Sequence, residues 1–170
     1  PGTSFVNPNT PLRDALTRYG VIRLSEIVKG KPDFTPVYKI LSEKNFVNAI
    51  VGLLASGGST NLVIHLVAMA RSVGIIIDME DFSDLSAEVP LICRVYPNGS
   101  ADVNHFQQAG GMPVFISELM KANLLHTQVS TVVGNDLKDY LKSPALKEDG
   151  RIGWVEKDLM SAAYEVLAPI

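Results

Sequence analysis

Cysteine occurs once in these 170 residues. Cys93 therefore has no partner for an internal disulfide, and by itself it cannot hold a zinc or iron–sulfur centre; this usage fits a reducing cytoplasm. Charge of one sign is also scarce. The 15 Lys and Arg against 18 Asp and Glu give a net charge of −3, and no basic run supplies a nucleic-acid footprint or a polybasic membrane anchor. Long hydrophobic runs are missing as well: residues 46–55 and 62–70 are the most apolar stretches, and the polar residues 56–61 keep them from joining into a membrane span. No secretory signal pattern, internal repeat or low-complexity tract is visible. The chain opens at Pro1-Gly2 without an initiator methionine and reads as a segment of a longer polypeptide. What remains is 46% hydrophobic and 19% charged, the balance of a globular domain, or part of one, able to bury a sizeable core.

The feature richest in chemistry is Gly57-Gly58-Ser59-Thr60-Asn61, which runs without a break into Leu62-Val63-Ile64-His65-Leu66-Val67-Ala68-Met69-Ala70. Ser59 is a good N-cap, the glycines let the backbone approach a ligand, and the free N–H groups of the first turn carry the positive end of the helix dipole. A phosphate or carboxylate would be held well there. The same residues also make sense as a tight turn and cap with no ligand. The helix that follows is apolar on nearly every side until Gly74, which predicts a buried central helix.

Elsewhere the chain reads as short helices with a few strand-like runs. Thr10-Pro11 and Thr35-Pro36 pair a capping hydroxyl with proline at a helix start. Residues 43–55 carry Phe46, Val47, Ile50, Val51, Leu53 and Leu54 at helical spacing. Asp78, with Asp81 three residues on, predicts a capped helix over 79–88 stopped by Pro90. Residues 91–96 and 129–133 read as strands, the first closed by the turn Pro97-Asn98-Gly99. Helices are expected at 102–109 and 113–122, separated by Gly110-Gly111, and an amphipathic helix near 156–167. The fold class expected is α/β, helix-rich with a few short strands.

Several of these segments together carry a resemblance. Pro1-Gly2-Thr3-Ser4-Phe5-Val6-Asn7-Pro8, the 57–61 turn with its helix, Asp81-Phe82-Ser83-Asp84-Leu85-Ser86, Pro90-Leu91 and Gly110-Gly111-Met112-Pro113-Val114 resemble the dihydroxy-acid and phosphogluconate dehydratase family. Within it, Arg94-Val95-Tyr96-Pro97-Asn98-Gly99-Ser100-Ala101-Asp102-Val103-Asn104-His105-Phe106 is similar to the 6-phosphogluconate dehydratase branch. The likeness covers residues 1–135, as part of the N-terminal, cluster-bearing domain of a parent enzyme. Residues 136–170 read as a more variable helical tail leading toward the next domain.

The resemblance implies an iron–sulfur hydro-lyase of the Entner-Doudoroff pathway, cytoplasmic and homodimeric, that dehydrates 6-phosphogluconate to 2-keto-3-deoxy-6-phosphogluconate. Such a reaction needs a Lewis acid on the departing oxygen and a base at the adjacent carbon. The family's cysteine ligands to the cluster, of the 4Fe-4S type, and its magnesium ligands lie in motifs that precede the Pro-Gly stretch. Its catalytic serine lies in a downstream domain. No catalytic residue and no metal ligand is thus expected here; the segment's part is to build the wall of the substrate site, and alone it should be inactive. The substrate-binding candidates are Gly57, Gly58, Ser59, Thr60, Asn61, Asn104 and His105. Partners implied are a phosphorylated sugar acid and the rest of the same polypeptide, with no nucleic acid and no membrane.

Other polar residues have plainer readings. Cys93 in an apolar run is a packing residue, His65 is a hydrogen-bonded core histidine although it shares a helix face with Asn61, and Arg94 and Lys121 are either phosphate partners or solvated cations. His126 reads as a C-terminal charge or cap for the helix ending near Asn123. Two other functions stay open on the sequence: dehydration of a dihydroxy acid or another sugar acid, and a non-catalytic binding or assembly module.

Overall fold

The computed structural model describes residues 2–170; Pro1, the first residue of the Pro-Gly motif, lies outside the described residues. Helices form where the caps are strongest. α1 (Pro11–Glu26) begins at Thr10, whose hydroxyl accepts from the Arg13 N–H at 3.2 Å, with Pro11 as the first helical residue. After the single turn α2 (Val37–Ile40), whose cap is Pro36 rather than Thr35, α3 (Glu43–Ser56) starts on the Ser42 hydroxyl. α4 (Thr60–Ser72) follows at once, and α5 (Met79–Glu88) opens with a complete capping box between Asp78 and Asp81. α6 (Val103–Gln108) and α7 (Gly111–Lys121) complete the helices, with a 3-10 turn over Leu137–Leu141 and an antiparallel pair, β1 (Ser143–Leu146) and β2 (Ile152–Val155). The architecture is therefore helix-rich with one small two-stranded sheet among the described residues.

Two apolar clusters sit on either side of α3. Val51 and Ala55 face one that contains Ile92, Cys93, Phe106, Val114, Phe115, Leu119 and Leu167. Phe46, Ile50 and Leu53 face the other, with Leu66 and Ala70 of α4 and Phe82 of α5. The apolar positions of α3 are spread widely enough around its axis to serve both. At the centre of the first cluster lies α7, where Val114 and Leu119 are 1% exposed. Burying side chains of this size stabilises the fold by about 1.5–3 kcal/mol each. α7 enters the core through Gly110, at φ +120°, where any Cβ would collide with Val114.

The helix expected to be buried and central is not. In α4 only Leu66 and Ala70 are buried, four residues apart on the face against α3, whereas Ile64 is 61% and Met69 41% exposed. An all-apolar helix signals burial on every side, and within these residues only one side is covered. α7 holds the central place instead.

The strand expectations also change. Residues 91–96 are extended, but the Ile92 and Cys93 N–H groups both donate to the Ala55 carbonyl, and the Arg94 N–H donates to Val166. Their partners are a helix end and the C-terminal segment, so only isolated bridges form, Cys93 with Leu167 and Val95 with Ala101. Residues 129–133 are not a strand either. The Thr131 hydroxyl accepts from the Val133 and Gly134 N–H groups, a local turn that outcompetes a ladder. The tail is not helical over 156–167: Asp158 and Ser161 fold the chain into short side-chain turns, and Val166 and Leu167 are drawn into the core. Glu148-Asp149-Gly150 lies in the β1–β2 turn, with Gly150 at φ +77°.

Candidate functional site

The 57–61 turn is built from the end of one helix and the start of the next. α3 closes in a Schellman arrangement, with Gly57 left-handed at φ 60° and ψ 41°. Its N–H donates to the Leu54 carbonyl at 3.1 Å, and the Gly58 N–H donates to Leu53 at 2.8 Å. Ser59 then returns to extended backbone, and its hydroxyl accepts from the Asn61 N–H at 3.1 Å as the N-cap of α4. The glycines thus serve the preceding helix and Ser59 the following one. Residues 58–61 are exposed. Among the described residues, the Thr60 hydroxyl, the Thr60 N–H and the Asn61 side-chain amide have no hydrogen-bond partner. They stand at the positive end of a 13-residue helix, where an anion is favoured.

A second strand of chain is clasped onto this turn. Asn98, in the Pro97-Asn98-Gly99 loop, donates its side-chain amide to the Gly57 carbonyl at 2.9 Å. Ala55, two residues earlier, accepts from Ile92 and Cys93 at 2.9 and 3.1 Å. The Ala55 and Gly57 carbonyls at the end of α3 are in this way satisfied by residues 92–98. Past this loop the chain enters α6 through Asp102. Its carboxylate accepts from the Asn104 and His105 N–H groups at 2.8 and 3.1 Å, and His105 Nδ1 lies 2.9 Å from the same oxygen. The hydrogen bond from the His105 backbone N–H, helped by that of Asn104, holds the Asp102 carboxyl below the usual carboxylate range.

The candidates therefore fall into two groups at the two ends of one loop. Gly57, Gly58, Ser59, Thr60 and Asn61 are contiguous and exposed, or half-buried at Gly57, while Asn104 and His105 are exposed on the first turn of α6. The link between them is the chain from Asn98 to Asp102. His65 is not a core histidine: it is exposed on the outer side of α4, because the buried stripe runs through Leu66 and Ala70 instead. Lys121 is neither a free cation nor poised for phosphate. Its ammonium lies 2.6 Å from the buried carboxylate of Glu118. Arg94 is exposed. His126 is held through its backbone, which exchanges hydrogen bonds of 2.8 Å with the Asn48 side chain, and so it does not cap α7. Sequence reasoning missed the role of Asn98, since Pro-Asn-Gly signals a turn and carries no sign of a contact 41 residues away.

Cys93 is 2% exposed, and burial pushes its thiol up to about 12. A cluster takes several cysteine ligands, and one cysteine packed within an apolar cluster supplies no such set. Among the described residues no group of three or more His, Cys, Asp or Glu could hold a metal ion, and no helix is long and apolar enough to cross a membrane.

Residues 1–140, which carry the 57–61 turn and the loop clasped onto it, match the family model described as dihydroxy-acid/6-phosphogluconate dehydratase N-terminal. The chain belongs to that family. Among its relatives, the phosphogluconate dehydratase of Zymomonas mobilis is 52% identical over 154 residues, 91% of this chain and 25% of the relative. That of Escherichia coli K12 is 51% identical over 168 residues, 99% of this chain and 28% of the relative. That of Pseudomonas aeruginosa is 48% identical across the whole chain, again 28% of the relative. The chain thus spans about a quarter of the length of these curated relatives, and the matched stretches of the last two cover the tail as well as the first 140 residues.

Proposed function

We propose that this chain is part of a hydro-lyase that removes water from 6-phosphogluconate to give 2-keto-3-deoxy-6-phosphogluconate. The observation that carries the reading is identity of about half to phosphogluconate dehydratases over 91–100% of the chain. The segment contributes wall rather than chemistry. The turn of Gly57, Gly58, Ser59, Thr60 and Asn61 receives an anionic end of the sugar acid on the Thr60 hydroxyl and N–H and the Asn61 side-chain amide, and Asn104 and His105 line the approach from α6. The resemblance expects the ligands of the iron–sulfur cluster and of magnesium elsewhere in the polypeptide, and the single buried Cys93 supplies no ligand set of its own.

The rest of that polypeptide is the partner of the apolar surface left uncovered here. Val21, Ile22 and Leu24 on α1 and Ile64 on α4 are each 58–65% exposed, apolar surface that further chain would cover. The parent is expected to be a cytoplasmic homodimer. The test is turnover by the full-length enzyme, purified without oxygen, on 6-phosphogluconate, gluconate and a branched dihydroxy acid, with Thr60→Val alongside. Preference for 6-phosphogluconate, and a Thr60→Val loss in kcat/KM of about tenfold or more with little change in Tm, are expected from removal of a hydrogen bond to a charged group. Preference for the dihydroxy acid overturns the substrate; unchanged kinetics in Thr60→Val remove that residue from the site.

A further inference from the structure

We propose that Asn98 is a positioning residue for the substrate turn, so that the loop over residues 94–102 sets where the N–H groups at the start of α4 point. This rests on the reading that the turn meets the substrate. The Gly57 carbonyl lies two residues before the Ser59 cap, and rotation of the peptide units between them would swing Thr60 and its hydroxyl. The 2.9 Å bond from Asn98 Nδ2 fixes the first of those units. The fit is tight from both sides: a Cβ on Gly57 would run into the Asn98 amide and come within 3.0 Å of Leu91 Cδ1.

The arm that carries Asn98 is itself held. Its own N–H donates to Val95 at 2.8 Å, the Tyr96 N–H donates to Ala101 at 2.8 Å, and Gly99 lies so close to the Arg94 carbonyl that no side chain fits there. Asn98 is exposed, and an exposed neutral hydrogen bond adds little net stability. Its consequence is geometric. The same arm leads directly to Asp102, Asn104 and His105, so both groups of wall residues take their register from one loop.

The test uses the full-length enzyme with Asn98→Ala, Asn98→Asp, Thr60→Val and the Asn98→Ala/Thr60→Val double variant, reading KM, kcat and Tm. Asn98→Asp keeps the shape but sets an acceptor against the Gly57 carbonyl. Both Asn98 variants should raise KM for 6-phosphogluconate about five- to tenfold with kcat within about twofold, because uniform binding is what a misplaced wall loses. Tm should move little. The double variant should lose no more than the worse single one, since both changes spoil one contact. In hydrogen exchange, 6-phosphogluconate should slow the amides of residues 58–62 in the wild type and not in Asn98→Ala. If Thr60→Val is impaired while both Asn98 variants keep wild-type KM, or if the losses simply multiply, Asn98 does not position the turn and the substrate reading stands. An unimpaired Thr60→Val with no protection of these amides overturns the substrate reading of the turn and this inference with it.

Discussion

Gly57→Ala against Gly74→Ala separates the clasp from the backbone. Both glycines are left-handed and both end a helix region, at φ +60° and +81°. Alanine in that conformation costs about 1–2 kcal/mol at either site. At Gly74 nothing lies within 4 Å of the added Cβ, so the cost stops there. At Gly57 the Cβ would sit 2.9 Å from Asn98 Cγ, and relief requires the Asn98 side chain to move off the Gly57 carbonyl, about 1 kcal/mol of overpacking strain beside about 0.5 kcal/mol for the exposed hydrogen bond. The total for Gly57→Ala is about 2–4 kcal/mol, or roughly 5–15 °C in Tm for a chain of this size, against about 2–8 °C for Gly74→Ala. Thermal and urea unfolding of the two variants measures the difference. Adding Asn98→Ala to Gly57→Ala removes the collision and should restore part of the loss. Equal destabilisation at the two glycines, or no recovery in the double variant, would refute the reasoning.

Three further outcomes are expected. Cys93, buried and with its thiol pushed up to about 12, should resist iodoacetamide at pH 8 in the folded chain and react fully in denaturant. The Asp102 carboxyl sits below its ordinary value in the fold, so its capping contribution is complete above the unfolded pKa and is lost as pH falls through the lower, folded one; NMR titration of the Asn104 and His105 amides should report a midpoint below that of a free Asp, and a midpoint at or above it would contradict the cap geometry. Finally, the purified 170-residue chain should show no dehydratase turnover on 6-phosphogluconate and bind no stoichiometric iron; activity comparable to a full-length enzyme would undo the division of labour proposed here.

Where the sequence speaks in side-chain-to-backbone chemistry, the fold is legible. Thr10 with Pro11, Ser59, and the Asp78 and Asp81 box announce helix starts because each needs partners only a few residues away. The apolar spacing of α3 is legible for the same reason. What could not be read depends on who the neighbours are. α4 is apolar all round, yet pattern alone does not say that only the Leu66 and Ala70 side is covered by this chain. Residues 91–96 have strand composition but spend their N–H groups on a helix end. The amphipathic spacing near 156–167 gave way to the pull of Val166 and Leu167 into the α7 core. At the site, the turn of residues 57–61 was visible as glycine and hydroxyl chemistry, whereas the clasp by Asn98 is a tertiary contact with no local signature.

The position of α3 between the two apolar clusters has a consequence for how the molecule yields. The outer cluster of Phe46, Ile50, Leu53, Leu66, Ala70 and Phe82 is opened by lifting α4 from α3, whereas Leu85 packs against both clusters and Val89 ties the end of α5 to the inner one. The inner cluster cannot loosen without taking Val51 and Ala55, and hence α3, with it. This packing predicts that α4 leaves first, and the 57–61 turn lies on the crease where it meets α3, the helix that stays. Its amides are set to report the earliest opening of the fold, and a ligand gripping the start of α4 would staple the two layers together.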